Sequence, residues 1–485
     1  MIDIPITVIA HVLVVAGLGL RILYRRMAVN TTLAWLIIIA ALPIGGVIFY
    51  FLFGDHRLGR KRIKLGPQIR EHYQKAYDIT AEDVTSADIE VAPYFEDLAK
   101  IVARETGFHP SMGNKIRLFD EAGHTITSLI EDIDNAQQNC FLEFYIIEAK
   151  GRVVGIMEAL ERAARRGVDC RIIADDIGSR KFLKSAWAKR LRTAGVQIER
   201  SLKVGIVKSL SKRTDLRNHR KLVVIDQAIG YIGSFNLADP VAFKQESDVG
   251  QWVDIMARIE GHVVSSLAVV FNTDFIFDNV GEDYDKSDLE KLPTRTPASE
   301  FARDAVLQLI PSGPEMRVSL IYEVFISALF GARKSITVVT PYFVPDEALV
   351  LALTNAARRG IIVTLVIPMR LDSIMARYAS EAVYEALLEA GVTIKRYRGG
   401  MLHTKAILID DNVSFIGTVN MDMRSFYLNL EVTLAIYDKS FAERLQNTID
   451  HYEARADDLE LSRWQQRSKT KRFKENVLRL AAPLL

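Results

Sequence analysis

The sequence predicts a mixed α/β fold made by internal duplication, preceded by two apolar N-terminal segments. Two short strings carry the duplication. His219-Arg220-Lys221 runs through four residues to Asp226, then Gly233-Ser234-Phe235-Asn236 follows. His403-Thr404-Lys405 runs through four residues to Asp410, then Gly417-Thr418-Val419-Asn420 follows at the same offset. A second repeat lies upstream of each. Ala163-Ala164-Arg165-Arg166-Gly167 precedes the apolar run Val168–Ala174, and Ala356-Ala357-Arg358-Arg359-Gly360 precedes Ile361–Ile367. Repeated supersecondary units of this length read as two copies of one lobe.

The N-terminus comes first in the chain. Ile4–Leu20 is apolar apart from Thr7 and His11, and Leu33–Phe53 carries no charge. A bilayer-crossing helix needs about 20 such residues, so residues 1–56 predict a two-helix membrane hairpin with spans near 4–23 and 33–53. The first run lacks the basic start and small-residue cleavage site of a signal peptide. Pro43-Ile44-Gly45-Gly46 predicts a kink in the second span, which a membrane helix tolerates. Arg57, Arg60, Lys61, Arg62 and Lys64 after the second span outweigh Arg21, Arg25 and Arg26 between the spans. That bias favours a cytoplasmic catalytic body.

Residues 57–105 are charged and mixed and read as a helical connector. Residues 106–280 form the first lobe and 301–455 the second. In each half a strand (Cys140–Ile147; Ile336–Thr340) leads into a helix closed by Arg-Arg-Gly. Cations then sit at the helix's negative pole, with glycine at the stop. A strand, a variable insert and the His-x-Lys strand follow. Residues 281–300, rich in Asp, Glu, Lys, Thr and Pro, read as a linker. In the tail, 456–485, Arg463, Arg467, Lys469, Lys471, Arg472, Lys474 and Arg479 are interleaved with Trp464, Phe473, Val477, Leu480 and Leu484 near helical spacing. Such a basic amphipathic segment suits an anionic membrane surface.

At 485 residues and a net charge of +2, no global field selects a partner, and steering must come from local patches. Cys140 and Cys170 read as buried thiols beside core strands. No Cys/His spacing suits zinc, so no metal and no cofactor is expected.

The repeated residues fit chemistry on a phosphodiester. If His219–Asp226 is a strand, side chains alternate, so His219 and Lys221 share a face while Asp226 points away. The same holds for His403, Lys405 and Asp410. The two aspartates therefore suit backbone or cation pairing behind the sheet, although they complete the motif. Displacement at phosphorus needs a nucleophile on one side and a proton donor on the other, which two histidines across a pseudo-twofold interface supply. Lys221, Lys405, Asn236 and Asn420, with the hydroxyls of Ser234 and Thr418, are candidates to neutralise the phosphate oxygens. Each histidine needs a carboxylate to fix its tautomer, and Asp254 and Glu431 are the candidates. Basic residues crowd the approaches: Lys203, Lys208, Lys212, Arg213, Arg217 and Arg220 before or in the first motif, and Lys395, Arg396 and Arg398 before the second.

These motifs resemble those of the phospholipase D superfamily. The fuller strings narrow the match: His-Arg-Lys-Leu-Val-Val-Ile-Asp, Gly-Gln-Trp-Val-Asp, Arg-Ile-Glu-Gly and Gly-Thr-Val-Asn-Met-Asp-Met-Arg-Ser-Phe-Tyr-Leu-Asn-Leu-Glu. With the apolar N-terminus and basic tail, the whole chain is similar to the bacterial cardiolipin synthase family. Thr418 stands where the superfamily usually has Ser, and the hydroxyl is kept. The resemblance implies His219, Lys221, Asp226, His403, Lys405 and Asp410 as the catalytic set. It also implies a ping-pong phosphatidyl transfer between two phosphatidylglycerols through a phosphatidyl-histidine, with His219 as nucleophile and His403 as acid and base; the pseudo-symmetry leaves the reverse assignment open. The implied setting is the bacterial inner membrane with anionic lipids, without nucleic acid and with room for a homo-oligomer. A phospholipase D hydrolase and a phosphatidylserine synthase-like transferase share the same constellation. A nuclease of the superfamily fits the apolar segments poorly, and a non-catalytic scaffold has no need of both histidines, both lysines and both asparagines.

Overall fold

The structure is a computed structural model that describes residues 6–24, 29–42, 44–50, 69, 71, 73, 93–203, 215–280, 305–314 and 320–479. The expected 281–300 linker, most of the 57–105 connector, and Leu480 and Leu484 lie outside the described residues. The chain divides into two compact units, Met1–Ile63 with Val204–Leu216, and Lys64–Lys203 with Arg217–Leu485.

In the first unit, helices span Ile6–Tyr24, Val29–Ala41 and Gly45–Phe49. The helical path breaks between Ala41 and Gly45, where the Pro-Ile-Gly-Gly string falls. A Cβ on Gly46 would lie 2.4 Å from the Ile38 carbonyl oxygen, so only glycine permits that approach. Ile22, Trp35, Ile39 and Tyr50 are buried together, while Leu13, Leu20, Leu23, Leu33, Ile37 and Ile48 face outward. Among the described residues no helix is long and apolar enough to cross a membrane.

The second unit is organised by one mixed sheet. Its first half contributes β1 (Ser111–Phe119), β2 (Asn139–Phe144), β3 (Asp169–Asp175), β4 (Gln197–Ser201), β5 (Lys221–Ile225), β6 (Ile229–Gly233), β7 (Trp252–Val253) and β8 (Met256–Glu260). The second contributes β9 (Ala305–Ser312), β10 (Ser335–Val339), β11 (Phe343–Val344), β12 (Ile362–Pro368), β13 (Thr393–Tyr397), β14 (Met401–Leu402), β15 (Ala406–Ile409), β16 (Val413–Gly417), β17 (Met421–Asp422), β18 (Glu431–Tyr437) and β19 (Ala456–Asp458). Read outward from the central β1–β9 pair, one side runs β8-β6-β5-β2-β3-β4 and the other β18-β16-β15-β10-β12-β13-β19. The halves match strand for strand, except that the second carries one further edge strand, β19, antiparallel to β13. In each, the outer strands (β2-β3-β4; β10-β12-β13) are parallel and the inner ones antiparallel. The two lobes thus join edge to edge through β1 and β9 into one continuous sheet.

Helices cover both faces, so the central parallel strands β2, β10 and β12 are mostly buried, while the outer β4 and β13 carry charged residues. The Val153–Arg165 helix buries Ile156, Met157, Leu160 and Ala163 and stops at Gly167, whose φ is +92°. The Glu347–Arg358 helix starts on an Asp346 cap that accepts from Leu349 N–H and stops at Gly360, with φ +87°. The Val263–Val280 and Lys439–Glu453 helices share one apolar layer that spans both lobes.

The motif aspartates also repeat. Asp226 and Asp410 open the β5–β6 and β15–β16 turns with φ of 49° and 54°, a backbone that tight hairpins demand. Asp226 accepts from the backbone N–H groups of Gln137, Gln138 and Asn139 at 2.8, 2.7 and 2.9 Å. Asp410 accepts from Arg333, Lys334 and Ser335 at 2.8, 2.6 and 3.0 Å. Grouping them with the catalytic residues is therefore corrected: each ties a hairpin to the start of a parallel strand, at the far end of its own strand from the histidine.

Replacing Asp226 by Ala strands three N–H donors and is expected to cost about 2–3 kcal/mol of stability in equilibrium unfolding, with Asp226→Asn recovering part of it.

Candidate active site

His219 precedes β5 by two residues and His403 precedes β15 by three, and each is pinned by backbone bonds to the opposite lobe. His219 N–H donates to Leu430 O at 2.9 Å, and His403 N–H donates to Val253 O at 2.8 Å. The next residue in each receiving strand is a carboxylate. Consequently the carboxylates cross over. Glu431 of the second lobe meets His219 Nδ1 at 2.9 Å, and Asp254 of the first lobe meets His403 Nδ1 at 2.7 Å. With Nδ1 engaged, Nε2 is the nitrogen left for chemistry in both rings.

Both imidazoles line one cavity of about 420 Å³, together with Tyr145, Arg217, Asn236, Lys244, Trp252, Tyr342, Asp372, Asn420, Asp422 and Arg424. Aromatic walls hold the rings. Tyr145 lies 5.0 Å from the His219 ring and Trp252 4.2 Å from that of His403. The lysines lie beneath. Lys221 Nζ donates to His219 O at 2.8 Å, and Lys405 Nζ donates to His403 O at 2.6 Å. The lobes differ at Nε2: Lys405 Nζ also lies 3.0 Å from His403 Nε2, whereas His219 Nε2 has no hydrogen-bond partner among the described residues.

Burial sets the electrostatics. It pushes His219 down to about 4, against the opposing pull of Glu431, and Lys221 adds to the fall. It pushes His403 down to about 3, opposed by Asp254 and aided by Lys405. Burial likewise lowers Lys221 to about 8 and Lys405 to about 7. Burial disfavours the ionised carboxylates too, but the facing histidines and lysines outweigh it, so Glu431 and Asp254 are held below their usual range. Each half-site feels the cations of the other: Lys405 acts on His219 and Lys221 on His403. Two lysines beneath the rings, with Arg217, Lys244 and Arg424 in the wall, suit the cavity to a negatively charged group.

The asparagines reach this cavity. Asn236 accepts from Ile146 N–H at 3.2 Å through Oδ1, and its Nδ2 is buried without a partner, as is Oδ1 of Asn420. Ser234 and Thr418, expected on the phosphate, are elsewhere. Ser234 Oγ accepts from Ile255 N–H at 3.1 Å, and Thr418 Oγ1 from Val432 N–H at 2.9 Å. Each hydroxyl also helps keep the neighbouring carboxylate ionised, Asp254 or Glu431. The reason is the preceding glycine. A Cβ on Gly233 or Gly417 would lie 2.4 or 2.3 Å from Ile255 O or Val432 O, and this close strand contact draws the hydroxyl into the sheet.

The basic approaches also need correction. Arg220 is wholly buried, donating to Glu431 O at 3.1 Å and Ser312 O at 3.3 Å and pairing with Asp274. Lys395 pairs with Asp458 and Arg398 with Asp457, at the outer β13–β19 edge. Lys203 pairs with Glu199, and Lys208, Lys212 and Arg213 lie outside the described residues. Of the cations expected at the approaches, Arg217 lines the cavity; Lys244 and Arg424, which sequence reasoning missed, line it too. Asp422 was also missed: burial raises its carboxyl to about 6, and it caps the Met423–Tyr427 helix. Its position two residues beyond Asn420 was the one available signal. Among the described residues, no cluster of three His, Cys, Asp or Glu could hold a metal.

Two histidines, two lysines and two asparagines around one cavity between duplicated lobes define a phospholipase D-type site. The family model described as "Cardiolipin synthase, PLD-like domain" matches residues 129–262 and 325–452, and the "Phospholipase_D-nuclease N-terminal" model matches 12–54. Cardiolipin synthase A of Klebsiella pneumoniae (strain 342) is 38% identical over 482 residues, covering 99% of this chain and 98% of the relative. Cardiolipin synthase A of Proteus mirabilis is 38% identical, covering 98% and 96%, and that of Yersinia pseudotuberculosis is 36% identical, covering 99% and 98%. The crystal structure of phosphatidylserine synthase from Haemophilus influenzae superposes with a TM-score of 0.61 at 13% identity, covering 80% of this chain and 99% of that one, a likeness of fold. The chain belongs to the PLD-like cardiolipin synthase family.

Because the folded state keeps both imidazoles neutral, the unfolded chain binds protons that the folded one refuses once the pH falls below about 6.5. These two histidines therefore withdraw stability as the pH drops from about 6.5 towards 4. NMR titration should place their midpoints near 4 and 3, and Glu431→Gln should lower that of His219 further, since the carboxylate is what raises it.

Proposed function

We infer that this chain is a cardiolipin synthase, transferring a phosphatidyl group from one phosphatidylglycerol to another with release of glycerol. His219 Nε2 attacks the phosphorus of the donor lipid. The P–O bond to the headgroup glycerol breaks, and His403 supplies the proton that the departing oxygen needs. The terminal hydroxyl of a second phosphatidylglycerol then loses its proton to His403 and attacks the same phosphorus, releasing His219 and leaving cardiolipin.

The observation that supports this assignment best is the asymmetry at Nε2. His219 Nε2 is unpartnered and suits a nucleophile, while His403 Nε2 accepts from an ammonium and suits a proton carrier. Burial favours the neutral form of His403. A phosphodiester anion between the rings favours the charged form, and Lys405, already hydrogen-bonded to Nε2, is the adjacent proton source. Lys221, Lys405, Asn236 and Asn420 are the candidates to hold the phosphate oxygens, with Asp254 and Glu431 orienting the rings and Ser234 and Thr418 supporting those carboxylates.

The N-terminal hairpin is read as the membrane anchor, with the catalytic body on the cytoplasmic side of a bacterial inner membrane. Its outward-facing leucines and isoleucines, the charge bias across it and the match of residues 12–54 support this. Residues 106–280 and 301–455 are read as the lobes, and the substrate as phosphatidylglycerol within anionic lipid.

Purified protein given labelled phosphatidylglycerol should yield cardiolipin and glycerol, with activity undiminished by chelator; phosphatidic acid without cardiolipin would instead mark a hydrolase. His219→Ala and His403→Ala should each lower turnover by about a thousand-fold or more.

A further inference from the structure

Acyl chains constrain how lipids reach this site. A cavity of about 420 Å³ admits phosphate and glycerol groups but not the tails of two diacyl lipids. The tails must therefore remain in whatever layer meets the mouth. Two segments frame that mouth, one from each lobe. In the first lobe, Lys244 lines the cavity, and three residues earlier Val241 is 56% exposed. In the second, Asp372 and Ser373 line the cavity, and the next two residues, Ile374 and Met375, are 67% and 42% exposed.

The segments are joined. Lys244 Nζ bonds Asp372 at 3.0 Å, Leu371 packs on the cluster holding Phe243 and Trp252, and Arg370 reaches Asp248 at 3.3 Å. Single exposed apolar side chains are ordinary. Three on both sides of one cavity, on segments tied across the lobes, are a rim. Exposed cations flank it: Arg370 and Arg377 stand four before and three after Ile374. The Arg370–Asp248 pair is solvent-exposed and contributes little, so the guanidinium is available to a lipid phosphate.

The Lys469–Arg479 helix lies alongside. Lys471 pairs with Glu381 at the end of the Ile374–Glu381 helix, and Arg479 approaches Glu347. That path runs from the far end of the Ile374–Glu381 helix towards β11, whose Val344 also lines the cavity. The helix is thus docked on the second lobe, and its exposed Phe473 and Val477, four residues apart, are the part of the predicted apolar stripe left uncovered.

We propose that Val241, Ile374 and Met375 form an interfacial rim that inserts into the surface of an anionic phospholipid bilayer, so that headgroups enter the cavity while acyl chains stay in the lipid. The proposal rests on the phosphatidyl-transfer reading and concerns the route by which that substrate arrives. None of the three residues lines the catalytic cavity.

The test compares the full chain with a Val241→Asp, Ile374→Asp double variant on two forms of phosphatidylglycerol. One is long-chain lipid in proteoliposomes, and the other is dihexanoyl lipid supplied as monomers to the protein in detergent. Cardiolipin formation from the bilayer substrate should fall about ten-fold or more, from the loss of apolar burial, with turnover of monomers unchanged. Equal losses on both forms, or none on either, would overturn the proposal, the former marking damage to the site and the latter a rim that meets something other than lipid. A second readout is independent of turnover: Val241→Cys and Ile374→Cys, labelled with an environment-sensitive dye, should shift emission to the blue in phosphatidylglycerol bilayers. No shift would overturn the rim even where transfer proceeds. Wild-type product analysis run in parallel reports on the transfer reading separately.

Discussion

The site depends on an exchange of carboxylates between lobes. His219 belongs to the first lobe and is held by Glu431 of the second; His403 belongs to the second and is held by Asp254 of the first. Neither histidine takes its Nδ1 carboxylate from its own lobe. The exchange is enforced by backbone, because His219 N–H bonds to Leu430 and His403 N–H to Val253, one residue before each carboxylate. A short parallel pairing of β7 with β14 reinforces the second of these contacts. A separated lobe would keep its lysine and asparagine but would present an imidazole of undefined tautomer, so half of the duplication is not half of the chemistry.

The continuous sheet makes this exchange rigid. Because β1 and β9 join the two halves edge to edge, and the Val263–Val280 and Lys439–Glu453 helices share one apolar layer, the lobes cannot slide apart without opening a common core. Arg220 adds a buried polar tie, bonding Asp274 in one lobe and the carbonyls of Ser312 and Glu431 in the other. A fully buried cation is tolerated only when so paired. The same burial that immobilises the site depresses both histidines and both lysines, so its charge state answers to an arriving phosphate more than to bulk solvent.

Much of this was legible in the sequence, because the duplication is written in residues with fixed backbone or chemical demands. The Arg-Arg-Gly stops mark two helix ends, and strand alternation alone separates Asp226 and Asp410 from the histidines. Asp254 and Glu431 could be named as the carboxylates, yet the crossing could not, since nothing local tells Asp254 to serve a ring that follows it by about 150 residues. Ser234 and Thr418 were assigned to the phosphate by their place in the motif; the glycine before each draws the hydroxyl into the sheet instead. Arg220 looked like part of a basic mouth because burial is not visible in a string of cations. Trp252, Lys244, Asp372 and Asp422 converge on the cavity from short strands and loops that only the tertiary fold brings together.

On this account one imidazole attacks phosphorus while the other carries the proton, and the difference is set by Lys405 on His403 Nε2. Acid-free denaturing quench of the wild-type enzyme during turnover of phosphatidylglycerol, followed by peptide mass mapping, tests that division directly. The account predicts a phosphatidyl group on His219, present in wild type and absent in His219→Ala. An adduct on His403, or turnover with no histidine adduct under conditions that preserve phosphohistidine, would contradict it.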